Sequence, residues 1–133
     1  MRILIFLGVL AVALVAWIAW HNPERQSLDA AARADVPMQF VGLGEGVTAY
    51  APEGPIDGPW VVLVHGYSLP SNQWVDTAAA LHAAGFRTLR FDLLGRGWSD
   101  RPGGAYTLER FHQQLSELLV AVNAPPQFHL VGL

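Results

Sequence analysis

Three stretches of this sequence carry residue types that could do chemistry. In "VVLVHGYSLPSNQW", Val61–Trp74, an apolar run leads straight into His65-Gly66 and then into an irregular polar loop. In "FDLLGRGWSDRP", Phe91–Pro102, Asp92 and Asp100 flank Gly95 and Gly97. In "FHLVGL", Phe128–Leu133, an apolar run ends on Gly132. Two carboxylates in one loop invite an acid/base pair. The structural reading is the stronger one, because an Asp at a strand end commonly accepts backbone N–H groups of the turn beyond it. Arg96 is placed to pair with either Asp, and Arg101-Pro102 reads as surface.

Other chemistries find little support. The five histidines, His21, His65, His82, His112 and His129, are scattered with no i, i+4 pair, and there is no cysteine, so no metal site is expected. "GLGEG" at Gly42–Gly46 resembles part of a dinucleotide fingerprint, but strand-like Val47-Thr48-Ala49-Tyr50 follows where a helix is required. All eight basic residues are Arg, so a phosphate loop of the Gly-Lys-Ser/Thr kind is excluded. A net charge of −3 with no basic stripe argues against nucleic acid. No cofactor is expected.

Elements must position these loops. Hydrophobic stretches either side of Gly44-Glu45-Gly46 predict a hairpin, and Pro52–Pro59 a surface loop. Trp60–Val64 is apolar throughout, the pattern of a strand buried on both faces. Trp74, Ala78 and Leu81 recur at helical spacing, with Ser71 or Asn72 as N-cap and Gly85 as terminator. Arg87–Asp92 is the next strand. Thr107 caps a second helix carrying Leu108, Phe111, Leu115, Leu118 and Val122 on one face, and Pro125-Pro126 ends it. Phe128–Val131 is a third buried strand. A hairpin followed by strand–helix–strand–helix–strand gives an α/β fold with parallel central strands. Ligands bind such sheets at the carboxyl ends of the strands, which puts His65–Asn72, Asp92–Gly104 and the residues after Leu133 on one rim.

Ahead of this domain, residues 38–133, lie two other segments. Ile3–Trp20 carries no charge and is long enough for a transmembrane candidate, with Trp17 and Trp20 suited to the membrane interface. Residues 1–20 are therefore expected to be one transmembrane anchor, the membrane being a partner through residues 3–20. The alternative is a signal peptide, cleaved near Ala32-Arg33-Ala34, that releases a secreted or periplasmic protein. Topology is open, with Arg2 on one side and Arg25 and Arg33 on the other. Residues 21–37 read as a polar linker with a helical stretch at Ser27–Arg33.

The three chemical stretches, in this order and spacing, resemble the N-terminal half of the α/β-hydrolase fold, over Met38–Leu133. The resemblance rests on His65-Gly66 after a strand, on Asp92, Gly95, Gly97, Ser99 and Asp100 as Asp-x-x-Gly-x-Gly-x-Ser-Asp, and on Gly132 as the first glycine of a Gly-x-Ser-x-Gly nucleophile elbow. It implies that the backbone N–H of Tyr67 serves the oxyanion hole, with His65 and Gly66 shaping that loop and with glycine tolerating the sharp turn. It also implies that the nucleophile, catalytic acid and catalytic His lie beyond Leu133, so that the chain stops one residue short of the nucleophile. Residues 1–133 alone are then expected to be inactive and to expose the Phe128–Val131 strand. Family members use Ser on esters and amides, or Asp on epoxides and haloalkanes. The Asp groups usually place Pro where this chain has Ser68, which favours Ser. The expectation is a membrane-anchored serine esterase or lipase acting on lipid-like small-molecule esters. Asp-nucleophile or haloperoxidase-like chemistry and a non-catalytic fragment are the alternatives.

Overall fold

In the computed structural model, residues 2–21 and 28–133 are described, with side chains from Phe6 onward in the first helix. The chain divides into two compact units, Met1–Ala32 and Arg33–Leu133.

The first unit holds helix α1, Arg2–Trp20, of 19 residues. Its described side chains are almost all exposed, from Phe6 at 64% to Trp20 at 84%. Among the described residues no helix is long and apolar enough to cross a membrane. The expected transmembrane anchor is therefore not supported among the described residues. The expected helix at Ser27–Arg33 is a single turn, α2 (Ala30–Arg33), with the Asp29 carboxylate accepting the Ala32 N–H at 2.9 Å; Ser27 lies outside the described residues.

The second unit is a five-stranded sheet: β1 (Gln39–Leu43), β2 (Gly46–Glu53), β3 (Trp60–Val64), β4 (Arg87–Phe91) and β5 (His129–Gly132), in the order β1-β2-β4-β3-β5. The β1–β2 hairpin pairs antiparallel, and β2 continues antiparallel onto β4. The pairs β3–β4 and β3–β5 are parallel. Both parallel connections cross over through helices, α3 (Val75–Ala83) and α4 (Leu108–Ala121). This is the mixed sheet expected from the alternation of elements.

Two apolar clusters flank the sheet, as the unbroken apolar β3 requires. Val61 and Leu63 pack with Trp74 and Ala78 on one face, and Val62, Leu89, Phe91 and Leu118 pack together on the other. Helix α4 reads as expected at its start, where the Thr107 hydroxyl accepts the Arg110 N–H at 3.3 Å. Its apolar stripe divides: Leu115, Leu118 and Val122 join the core, while Leu108 is 82% exposed.

Two local expectations need correction. Neither Ser71 nor Asn72 caps α3; a 3-10 turn, Ser71–Trp74, precedes it and begins after Pro70 without a side-chain cap. Pro52 and Glu53 belong to β2 rather than to a loop, because their partners Leu89 and Thr88 in β4 extend the ladder. The third strand is exposed, as expected for residues 1–133 alone. Among the described residues β5 is an edge strand with every residue exposed, including Leu130 at 56% and Val131 at 40%.

Candidate active site

The carboxyl ends of β3, β4 and β5 lie side by side, with Val64 level with Phe91 and Gly132. The first two loops expected on one rim are together, and the end of β5 lies beside them. The Leu133 N–H donates to Val64 O at 3.3 Å, and the Leu133 carbonyl lies 3.4 Å from where a Cβ at Gly66 would stand.

His65 is 2% exposed and joins two of these loops. Its Nε2 accepts the Leu93 N–H at 2.9 Å. An amide nitrogen can only donate, so the ring proton sits on Nδ1, which donates to Gly66 O at 2.7 Å. Both ring nitrogens are occupied, and His65 is a tie rather than a base. The Gly66 carbonyl belongs to the same peptide as the Tyr67 N–H. In a trans peptide the two point in opposite directions, so the bond from His65 also aims the Tyr67 N–H away from the imidazole.

Asp92, 1% exposed, anchors the second loop. Its carboxylate accepts the Ser71 N–H at 2.8 Å and the Trp98 N–H at 2.8 Å. Its main-chain carbonyl accepts from Ser99 Oγ at 2.6 Å and from Gln114 Nε2 at 3.0 Å. This is the turn-holding role of a strand-end Asp. Gly97 has φ +49° and sits so close to the Asp92 carboxylate that a Cβ there would collide with it. The second glycine of the motif is thus required twice, by backbone conformation and by space. Ser99 is fully buried, its Oγ also accepting the Ala49 N–H at 3.0 Å.

Arg96 does not pair with either Asp. Its Nε donates to Tyr67 O at 2.9 Å, and its guanidinium carbon stands 4.8 Å from the Tyr67 ring centroid. Asp100 instead takes Arg33, at 2.6 Å, and accepts the Val47 N–H at 2.8 Å. Arg33 also donates to Trp98 O. A residue read as linker therefore holds the rim loop, and nothing in the sequence marks it. Gln114 was equally unforeseen. It is 3% exposed; its Oε1 accepts the Leu94 N–H, and its Nε2 donates to Thr48 Oγ1 as well as to Asp92 O. The available signal was an amide inside the apolar stripe of α4, between Phe111 and Leu118.

These loops and α4 enclose an open cleft of about 600 Å³. Val64, Phe91, Leu93, Leu108, Phe111, Leu115, Leu130 and Leu133 give it apolar walls. The polar groups are few: His65, the Gly66–Tyr67 backbone, Arg96 and His112. That balance is the usual composition of a small-molecule site. Among the described residues no cluster of His, Cys, Asp or Glu is arranged to hold a metal ion.

A mixed sheet carrying this cleft at the carboxyl ends of its parallel strands has the architecture of the α/β-hydrolase type. The chain belongs to the α/β hydrolase fold family, whose model matches residues 59–133. It is 45% identical over 53 residues to a haloalkane dehalogenase of Mycobacterium marinum, covering 40% of this chain and 18% of that one. A non-heme chloroperoxidase of Streptomyces lividans is 27% identical over 81 residues, covering 61% of this chain and 29% of the other. Among solved structures, a hydrolase from Pseudomonas aeruginosa superimposes with a TM-score of 0.68 at 30% identity, covering 74% of this chain and 37% of that one. The enol-lactonase from Burkholderia xenovorans gives 0.67 at 27% identity, covering 71% and 36%. The chain spans about a fifth of the curated dehalogenases it matches, 18% and 22%.

The Asp100 junction gives the rim a pH dependence. Burial alone pushes the Asp100 carboxyl up, but the Val47 N–H and the Arg33 guanidinium outweigh it and hold it below its ordinary value. A carboxyl depressed on folding stabilises the native state above its unfolded pKa, and that stability is lost as pH falls through the folded one. Urea midpoints should therefore drop below about pH 4. Asp100→Asn should start lower at pH 7 and fall less over the acid range. An unchanged slope in the variant would remove Asp100 as the cause.

Proposed function

We propose that the protein carrying this chain hydrolyses carboxylic esters of small, predominantly apolar molecules through a covalent acyl-enzyme. The observation that carries this reading is the Gly66–Tyr67 peptide, held by His65 beside an apolar cleft and next to Gly132–Leu133. Attack on an ester carbonyl moves negative charge onto its oxygen. An N–H fixed in advance stabilises that charge without reorganising, and one such donor is worth about 10²–10³ in rate. Tyr67 N–H takes that role here. The attacking group is assigned to a serine directly after Leu133, where an elbow opening on Gly132 would present it. Acyl transfer to that serine releases the alcohol, and water then frees the acid.

A second reading has its own support in the similarity to the haloalkane dehalogenase of Mycobacterium marinum and in the epoxide hydrolase from Vigna radiata, which superimposes at 25% identity with a TM-score of 0.65. There an Asp in the elbow would attack carbon and leave an alkyl ester on the enzyme. Ser68, standing where Pro is usual in that group, supports the serine reading. The extended protein distinguishes the two. A serine after Leu133 that is labelled by a fluorophosphonate, with turnover of p-nitrophenyl esters, is the expected result. An Asp at that position with halide release from a chloroalkane would establish the second reading, and a residue of neither kind would overturn both.

Within the ester reading, the working group at position 67 is a backbone N–H. Tyr67→Phe should keep most of kcat, and Tyr67→Pro, which lacks the donor, should lose about 10²-fold or more. Equal damage from the two would assign the role to the phenol hydroxyl instead.

Localisation at a membrane through residues 3–20 is a separate proposal. It is supported by the uncharged run Ile3–Trp20 and the exposed apolar side chains of α1, although no described helix is long and apolar enough to cross. Carbonate-resistant pelleting of the protein is the expected result. Release into the supernatant, with a shortened N-terminus, would establish a cleaved signal instead.

A further inference from the structure

The loop that carries Tyr67 has little else to hold it. The Tyr67 side chain is 85% exposed, Leu69 is 56% exposed, and neither belongs to an apolar cluster of the core. Yet the direction of an N–H depends on the planes of the peptides around it. His65 holds the peptide before Tyr67 through Gly66 O. Arg96 holds the peptide after it, donating from Nε to Tyr67 O at 2.9 Å. The same guanidinium covers the Tyr67 ring at 4.8 Å and is itself steadied by an Nη1 bond to Gly95 O at 3.0 Å. Its charge is not consumed elsewhere: among the described residues Asp92 is satisfied by N–H groups and Asp100 by Arg33, and Arg96 forms no ion pair.

We propose that Arg96 is a positioning residue for the oxyanion donor, clamping the Tyr67 main chain and ring from the β4 loop so that the Tyr67 N–H keeps a fixed direction at the cleft. This rests on the assignment of Tyr67 in the preceding section and extends it to a residue from a different loop. With one flanking peptide tied by His65 and the other by Arg96, the two dihedrals of Tyr67 are bounded on both sides. Removing one tie frees the donor to wander, and misplacement of a catalytic group by about 1 Å costs up to 10²-fold. The planar guanidinium suits the task, since it can donate in its plane while its face lies on the ring; an ammonium manages both less well.

The test uses the full protein and reads Tyr67 directly. Arg96→Met keeps the aliphatic stem and removes donor and charge. Its kcat on a p-nitrophenyl ester should fall about tenfold while KM stays within about twofold, the pattern of an interaction used in the transition state. The Tyr67 amide order parameter should drop from about 0.85 to below about 0.6. Arg96→Lys should recover part of both. Lost turnover with a rigid Tyr67 amide would overturn the role of Arg96 and leave the Tyr67 assignment standing. A loosened amide with full turnover would overturn the Tyr67 assignment, and with it the positioning role of Arg96 in the reaction. If Arg96→Met does not fold, the unaltered protein decides through solvent exchange of the Arg96 Nε–H. Exchange at least about tenfold slower than in free arginine supports the clamp, and exchange at the free rate overturns it.

Discussion

The buried carboxylate of Asp92 is the constraint around which the rim is organised. A charge removed from water costs several kcal/mol unless its lone pairs are taken up. Here the groups that take them up are main-chain N–H groups from two different segments, Ser71 before α3 and Trp98 in the β4 loop. Each such bond to an ionised group contributes about 1.5–3 kcal/mol. The carboxylate therefore decides where both segments must pass. Gly97 lies against it because no side chain fits there.

From this junction the other ties radiate. The Asp92 carbonyl receives Ser99 and Gln114, which bring in β2 through Ala49 and Thr48 and hold the start of the loop through Leu94. One residue further on, the Leu93 N–H fixes His65, and His65 fixes the Gly66 carbonyl. The orientation of a single surface N–H is thus connected to the core by a continuous chain of hydrogen bonds. Most of its members are buried, where an unmade bond is costly. The cleft wall is different in kind. Phe91 comes from the core, whereas Leu108, Leu130 and Leu133 are exposed apolar surface.

Polar residues within apolar patterns are the informative features of this chain. His65 at the end of a wholly apolar strand and Gln114 in the apolar stripe of α4 both turn out to be bonded at each polar atom of the ring or amide. Their partners are main-chain groups of the rim loops, together with the Thr48 hydroxyl of β2.

The sequence by itself determined the order and type of the elements, because periodicity, turn chemistry and caps act within a few residues. The hairpin at Gly44–Gly46, the strand Trp60–Val64, the Thr107 cap and the glycine stop at Gly85 are all local facts, and each is found where its residues place it. The turn-holding by Asp92 was legible from its place at a strand end, whereas Gly97 was legible only as a position of the motif. What the tertiary structure decided is which partner each polar group takes. Arg96 reaches Tyr67 rather than an aspartate, Arg33 reaches Asp100 across the sequence, and Pro52-Glu53 joins the sheet. The physical reason is the same in every case: pairing between segments far apart in the chain depends on where the sheet order brings them, and no local pattern encodes that distance.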